Sequence, residues 1–434
     1  MSSIVHKLTK DDSPKAVLAR ATVWNLVASL INASMTAVIM LVMSWSNMTE
    51  DVGIFSIATA IAYQVQAIGF FGVRNLHIAD VKKEYSFSDY VWSNLVSSVF
   101  MFIVMIFMIF PKGYPLEKSA AILFYTLYRA LDIYEAWFHD EYQRQGRLDI
   151  GLVMQTIRFV VSLIIMSLVM IVTKSFLIAC IAAFASSAFM IWMQNRHYIH
   201  AFSCHLEKIN KKRLWEILKI SFPICVSAYV SMYLVNAGKF AIDNTLDNSF
   251  QTIFAVLLVP VFTINLLSTV IYRPFISIIA EHWSSENYRE FTRKTLSMCA
   301  VILVLTLGIT LFGYVLGLWM LGLIYHMDLM EHSAAFVILL LGGGLNTYAQ
   351  FLAQILVIIR QQNKSMILSL ISFAATLLLG NWMVANWTIL GAALLYGMSS
   401  LILCLGSAWI IIKYTRQSMR KKGAGNEEKN TGTV

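Results

Sequence analysis

The sequence predicts an all-α integral membrane protein of about twelve transmembrane helices, laid out six plus six. Three observations predict it. The 434 residues are 58% hydrophobic and only 13% charged, with a mean hydropathy of +0.67, whereas soluble domains run near a quarter charged. Twelve mostly apolar runs approach or exceed the ~20 residues a helix needs to cross ~30 Å of hydrocarbon. The basic residues are also segregated. With the N-terminus in the cytosol, the 33 lysines and arginines fall on the cytosolic side except Lys112, Lys118, Lys174 and Lys239, which fall outside, and Arg129 and Arg158, which lie within spans. That is the positive-inside pattern. It puts both termini in the cytosol and makes the net charge of +9 a topology signal, with some attraction to anionic lipid, rather than a nucleic-acid surface.

The spans are read at 22–44, 52–73, 90–110, 118–138, 151–173, 175–193, 216–237, 250–272, 296–321, 333–359, 365–384 and 388–412. The start, "MSSIVHKLTKDDSPKAVLAR", is polar and shows no cleavable signal, so the first run is expected to act as an uncleaved anchor. The longest internal connection, "QNRHYIHAFSCHLEKINKKRLWE", follows the sixth span. It divides the chain into a bundle over 1–193, a cytosolic linker at 194–215, a second bundle over 216–412 and a polar tail at 413–434. A trace of a repeat is visible: Phe55 precedes Arg74 by 19 residues, and Phe254 precedes Arg273 by the same interval. Each arginine closes the second span of its half.

Outer connections such as "WSNMTED", "PKGYPLE", "GKFAIDNTLDNS" and "HMDLMEH" are too short for a catalytic domain, and no cytosolic loop could hold a nucleotide-binding domain. "LLLGGGLN" at 339–346 lacks the G-K-[ST] ending of a phosphate loop; its glycines suit close helix packing or a bend. The histidines show no metal-binding spacing, and His77, His139, His197, His200 and His205 are placed in cytosolic loops. The five cysteines are scattered and lack a zinc or disulfide pattern. No nucleophile–base pair stands out. The chain is therefore expected to be no enzyme and to need no cofactor or metal.

Chemistry is concentrated in polar positions inside spans. Asn25, Ser29, Asn32 and Thr36 share one face of the first span, and Asn346, Gln350 and Gln354 share one face of the tenth. Such faces line a wet cavity or act as helix–helix glue. In the fourth span Arg129, Asp132 and Glu135 are spaced at i, i+3, and the fifth carries Gln155 and Arg158 at the same interval. Adjacent antiparallel helices would bring Arg158 against Asp132 or Glu135. One reading is a neutralised ion cluster that fixes helix packing. The preferred reading is a cationic floor in which the acids hold one arginine and the other meets an anionic ligand, since intramembrane charges are functional by default and the arginine fork suits phosphate. Arg74 and Arg273, at span ends, taken singly fit snorkelling better than ligand binding. Pro260 is expected to kink the eighth span.

Over nearly its whole length the chain resembles the polysaccharide repeat-unit flippases, the Wzx-like members of the multidrug/oligosaccharidyl-lipid/polysaccharide exporter superfamily. The resemblance rests on size, the six-plus-six layout, "DVGIFSIATAIAYQVQAIGFFGVRN" at 51–75, "QRQGRLDIGLVMQTIRF" at 143–159 and, above all, "KFAIDNTLDNSFQTIFAVLLVPVFTINLLSTVIYRP" at 239–274. It implies two six-helix bundles around a central, typically cationic cavity. It also implies translocation of undecaprenyl-pyrophosphate-linked oligosaccharide across the bacterial cytoplasmic membrane by alternating access, for O-antigen, capsule or exopolysaccharide synthesis. A polysaccharide polymerase becomes a candidate partner. By position in the matching segments Arg74, Arg158, Lys239, Asp243 and Arg273 carry over as site candidates; Arg129, Asp132 and Glu135 rest on the charge argument. Without an ATP site, energy must come from an ion gradient or from the substrate gradient. Two alternatives stand beside this reading. A multidrug or small-molecule exporter of the same fold would favour acidic cavity residues, and a membrane polysaccharide polymerase or ligase would show a substantial outer loop.

Overall fold

The computed structural model describes residues 13–80, 83–196, 198–199, 202 and 204–431. The chain's extreme termini, whose cytosolic placement was expected, lie outside the described residues, as do His197 and His200. Helices follow one another as α1 (Pro14–Trp45), α2 (Thr49–Phe70), the short α3 (Val73–Ala79), α4 (Phe87–Ile109), α5 (Leu116–Arg144), α6 (Leu148–Thr173), α7 (Phe176–Asn195) and α8 (Lys211–Thr245). Then come α9 (Asn248–Ser284), α10 (Tyr288–Phe312), a π-helical turn (Gly313–Gly317), α11 (Leu318–Tyr325), α12 (Ser333–Ile358) and α13 (Gln362–Thr431). No strand occurs among the described residues.

Among the described residues, ten helical segments are long and apolar enough to cross a membrane. The last holds two of the predicted spans, one on each side of Thr388, where φ 48° and ψ −127° interrupt the helix. α5 has the length at 29 residues, but its charges keep it out of that set. Twelve crossings result, and the chain is an all-α multi-pass membrane protein.

Local chemistry sets the boundaries. Pro14 opens α1, where its missing N–H costs nothing. Ser86 and Asp89 form a reciprocal capping box at the start of α4. α2 stops because Phe71 and Gly72 both adopt left-handed backbone. Gly72, at φ +73°, also lies where a Cβ would come 2.7 Å from Ile224, so glycine is needed twice over.

Three expectations change here. Arg74 does not close α2 but sits beyond this break, in α3. Its repeat counterpart Arg273 lies inside an unbroken α9, which runs through both Pro260 and Pro274. Lys239 does not belong to an outer loop: α8 continues to Thr245, and Lys239 is buried within it. Hydropathy windows end at the first charges, whereas a helix ends only where its backbone hydrogen bonds do.

Packing divides the chain into two units, one ending at Tyr233 and the other beginning at Leu234. The connection at 194–215 remains our proposed divide between bundles; the packing units change inside α8. In the first unit α1 lies on α6, α2 on α4 and α5, and α7 on α5 and α6. Phe55 anchors α2 there, meeting Tyr125 and Phe176 edge to face at 5.5 and 5.7 Å. In the second unit α12 packs against α9, α10 and α13.

The glycine run explains how α12 can approach all three helices. A Cβ on Gly342 would meet the Tyr396 ring at 3.0 Å, on Gly343 the Val261 side chain at 2.6 Å, and on Gly344 the Thr306 side chain at 2.2 Å. Each glycine faces a different helix, so close packing is their role. Gly344→Val is expected to destabilise the protein by roughly 1–3 kcal/mol through overpacking. A lowered unfolding temperature in detergent would show it; an unchanged one would mean that α10 yields without cost.

Candidate functional site

The first unit contains a polar cavity of about 200 Å³, lined from α1, α2, α3, α5 and α6. α1 contributes Asn25, Ser29 and Asn32, the face marked out by helical spacing. Thr36, one turn further on, is not part of the lining. α2 adds Gln66 and Phe70, α3 adds Arg74, α5 adds Arg129, Asp132 and His139, and α6 adds Gln155 and Phe159.

Behind this lining is the charge cluster. Arg158 donates from Nη2 to Asp132 Oδ1 at 2.5 Å and to Glu135 Oε2 at 2.8 Å. Arg129 Nη2 meets the other oxygen of Asp132 at 2.9 Å, and its guanidinium lies 4.7 Å from the Tyr63 ring centroid. Gln66 Nε2 donates to the Arg129 carbonyl at 2.7 Å and to Asp132 Oδ2 at 2.9 Å. Arg74 pairs with Asp140 at 3.1 Å.

The preferred reading of one held and one free arginine is therefore corrected. Asp132 has two oxygens and bridges both guanidiniums, so neither Arg129 nor Arg158 stands as an unpaired cation. Three guanidiniums face three carboxylates, and the floor is formally neutral rather than cationic. Such a cluster satisfies its charges only as a unit, because each ion has lost its water.

The cytosolic end of α5 carries a second network, past the predicted span at 118–138. His77 Nε2 and Glu141 Oε2 lie 2.9 Å apart, and the His77 ring stacks on Tyr90 at 4.2 Å. Arg144 Nη2 reaches Glu141 at 2.7 Å, while Nη1 donates to the Tyr85 carbonyl at 3.1 Å. Asp80 accepts from the backbone of Glu84 and Tyr85 and from the Tyr90 hydroxyl. Together these bonds tie α3 and the turn before α4 to α5. His77 and His139 are therefore helical and buried, not loop residues as expected, because α3 and α5 both run past the apolar windows.

In the second unit a cavity of about 510 Å³ is lined by Thr269, Tyr272, Arg273, Ile276, Gln350, Ala353 and Gln354. Gln350 and Gln354 reach it as the spacing on the tenth span suggested. Asn346, on the same face, does not. It is buried and donates to Asn265 Oδ1 at 3.4 Å, while the Thr347 hydroxyl donates to the same oxygen at 2.5 Å. That part of the stripe joins α9 to α12. Arg273 is exposed and makes no ion pair among the described residues. Lys239 lines neither cavity, and Asp243 is half-buried one turn later in α8.

Sequence reasoning missed Gln66, His139, Phe70 and Phe159 in the first cavity and Asn265 in the second unit. A glutamine at 66 and an asparagine at 265, each deep in an apolar run, were available signals. The phenylalanines were not, since nothing distinguishes a cavity-facing ring from a lipid-facing one.

No protein-family model and no curated protein sequence matches the chain. Its architecture does match solved structures. The lipid II flippase MurJ in an inward closed conformation superposes with a TM-score of 0.69 at 12% identity, covering 92% of this chain and 91% of that one. An inward-facing multidrug resistance MATE-family transporter of the MOP superfamily gives 0.63 at 12% identity, covering 93% and 99%. The chain shares the fold of these two solved structures. An outward-facing MATE-family transporter of that superfamily also matches, at 0.55 and 13% identity over 96% of this chain and 98% of that one. Neighbours of both flippase and multidrug type therefore share this fold.

Proposed function

We propose that this protein is a flippase that moves undecaprenyl-pyrophosphate-linked oligosaccharide repeat units across the bacterial cytoplasmic membrane by alternating access, for surface polysaccharide synthesis. The observation that carries the reading is Arg273. Arg273 borders a polar cavity whose lining contains amides, a threonine and a tyrosine but no acid, and no ion pair among the described residues occupies its guanidinium. A free planar fork of five N–H donors suits a pyrophosphate. A polyprenyl tail can remain in lipid while the headgroup takes a polar route. Export of organic cations fits less well, since every carboxylate of the charge cluster in the first unit is already bound to a guanidinium.

The test is complementation of a flippase-deficient strain, with membrane abundance measured in parallel. Arg273→Ala is expected to lower surface glycan at least tenfold at normal abundance, with Arg273→Lys intermediate because it keeps charge but loses the fork. Full surface polysaccharide from Arg273→Ala would remove Arg273 from the proposal. No complementation by the unmodified protein, in strains carrying each class of surface glycan, would remove the flippase reading itself.

A further inference from the structure

The cavity of the first unit has a chemistry unlike that around Arg273. Its guanidiniums are matched by carboxylates, so it offers no net charge to an anion. Seating a phosphate there would place it beside Asp132 and require Arg129 to exchange partners. An organic cation is no better served, because both oxygens of Asp132 are already engaged.

What the cavity does offer is a surplus of neutral hydrogen-bonding capacity. Asn25, Asn32, Gln66 and Gln155 line it, with the rings of Phe70 and Phe159. Several polar atoms around it are buried yet have no partner: Asn32 Oδ1, Arg129 Nε and Nη1, and His139 Nε2. Arg129 and His139 are themselves 4% and 6% exposed. Asn32, Arg129 and His139, the residues that carry these atoms, all belong to the lining of this one cavity. Buried polar groups are rarely left so, and in a polar cavity water normally satisfies them. A ligand that displaces such water without loss must replace its hydrogen bonds group for group.

We propose that this cavity is a subsite for one neutral sugar ring of the transported glycolipid. The ring's hydroxyls would bond to the amides and to the free atoms of Arg129 and His139, and its apolar face would lie against Phe70 or Phe159. The volume of about 200 Å³ is below the ~300–1,000 Å³ of pockets that take drug-sized ligands, the scale of a single ring rather than of a whole repeat unit. This assignment rests on the flippase reading for its source of sugar, and it adds which part of the substrate the first unit recognises.

The experiment is cysteine protection on the full-length protein in detergent. Ser29→Cys and Ala136→Cys each place a thiol on the lining, at an exposed and a buried position, without removing a group assigned to the sugar. Labelling by a small uncharged thiol reagent is measured against the unmodified protein, whose five cysteines are buried or half-buried. Two positions are used so that the failure of one variant to fold leaves the other, with monodispersity checked for both. Glucose or N-acetylglucosamine, supplied as free sugar, is expected to slow labelling at least threefold, and inorganic pyrophosphate is expected to leave it unchanged. Protection by pyrophosphate, or by neither, overturns the subsite. The readout needs no transport: sugar protection in a protein that fails to complement any flippase-deficient strain would sink only the flippase reading. Complementation without sugar protection would sink only the subsite.

Discussion

Arg158→Met is expected to destabilise the protein by roughly 3–5 kcal/mol, the usual cost of removing one partner from a buried ion pair. Arg158 is wholly inaccessible to solvent, and its Nη2 serves Asp132 and Glu135 at once. Its loss strands Glu135, which is also 0% exposed and already has one oxygen without a partner. The second substitution decides the cause. In Arg158→Met with Glu135→Gln, most of the lost stability should return, because a neutral pair of similar size removes the uncompensated charge. The check is thermal unfolding in detergent together with abundance in the membrane. If the single variant is as stable as the parent, the cluster does not hold α5 to α6. If the double variant stays as unstable as the single one, lost packing rather than a stranded carboxylate is responsible.

Glu141→Ala should have an effect of the same order, again roughly 3–5 kcal/mol, and with a pH signature. Burial works to raise the Glu141 carboxyl, but hydrogen bonds from His77, Gln145 and Arg144 overcome it and hold the group down at about 2. A carboxylate depressed from 4.5 contributes stability that is fully present above pH 4.5 and is lost as pH falls toward 2. His77 adds to the same limb. Burial lowers its pKa below 6.5 despite the bond to Glu141, so the folded protein holds it neutral, and that preference weakens as pH falls below 6.5 and the unfolded chain takes up the proton. Unfolding temperature should therefore fall on acidification in the parent. The fall should be shallower in Glu141→Gln between pH 5 and pH 3, a window set by the Glu141 shift. Parallel curves for the two proteins would show that Glu141 does not contribute this acid sensitivity.

Much of this architecture was legible because hydrocarbon imposes simple requirements. Each of the twelve apolar runs is almost wholly helical, and the i, i+3 spacing of Arg129, Asp132 and Glu135 placed them on one face that α6 meets through Arg158. The amides of α1 were legible for the same reason. Charge balance was not, because it depends on the reach of Asp132 to two arginines from different helices, which no single-helix pattern contains. Nor was the contrast between Arg74 and Arg273. Both end an apolar window, but left-handed backbone at Phe71 and Gly72 turns one into the start of α3 next to Asp140, while the other stays on a continuous α9. Asn346 shows the same limit of periodicity: it shares a face with Gln350 and Gln354, yet Asn265 on a neighbouring helix claims it.

The glycines at 342–344 also bear on how this protein can change over evolutionary time. Because they point at Tyr396, Val261 and Thr306 on three separate helices, no one compensating mutation can make room for a larger residue at more than one of them. A lineage would need coordinated replacements on two helices before either gave any advantage. Leu341, immediately before them and 40% exposed, faces no such barrier. Divergent relatives should therefore exchange residues freely at 341 and keep the next three positions small, a hierarchy of tolerance imposed by the geometry of α12 whatever each relative transports.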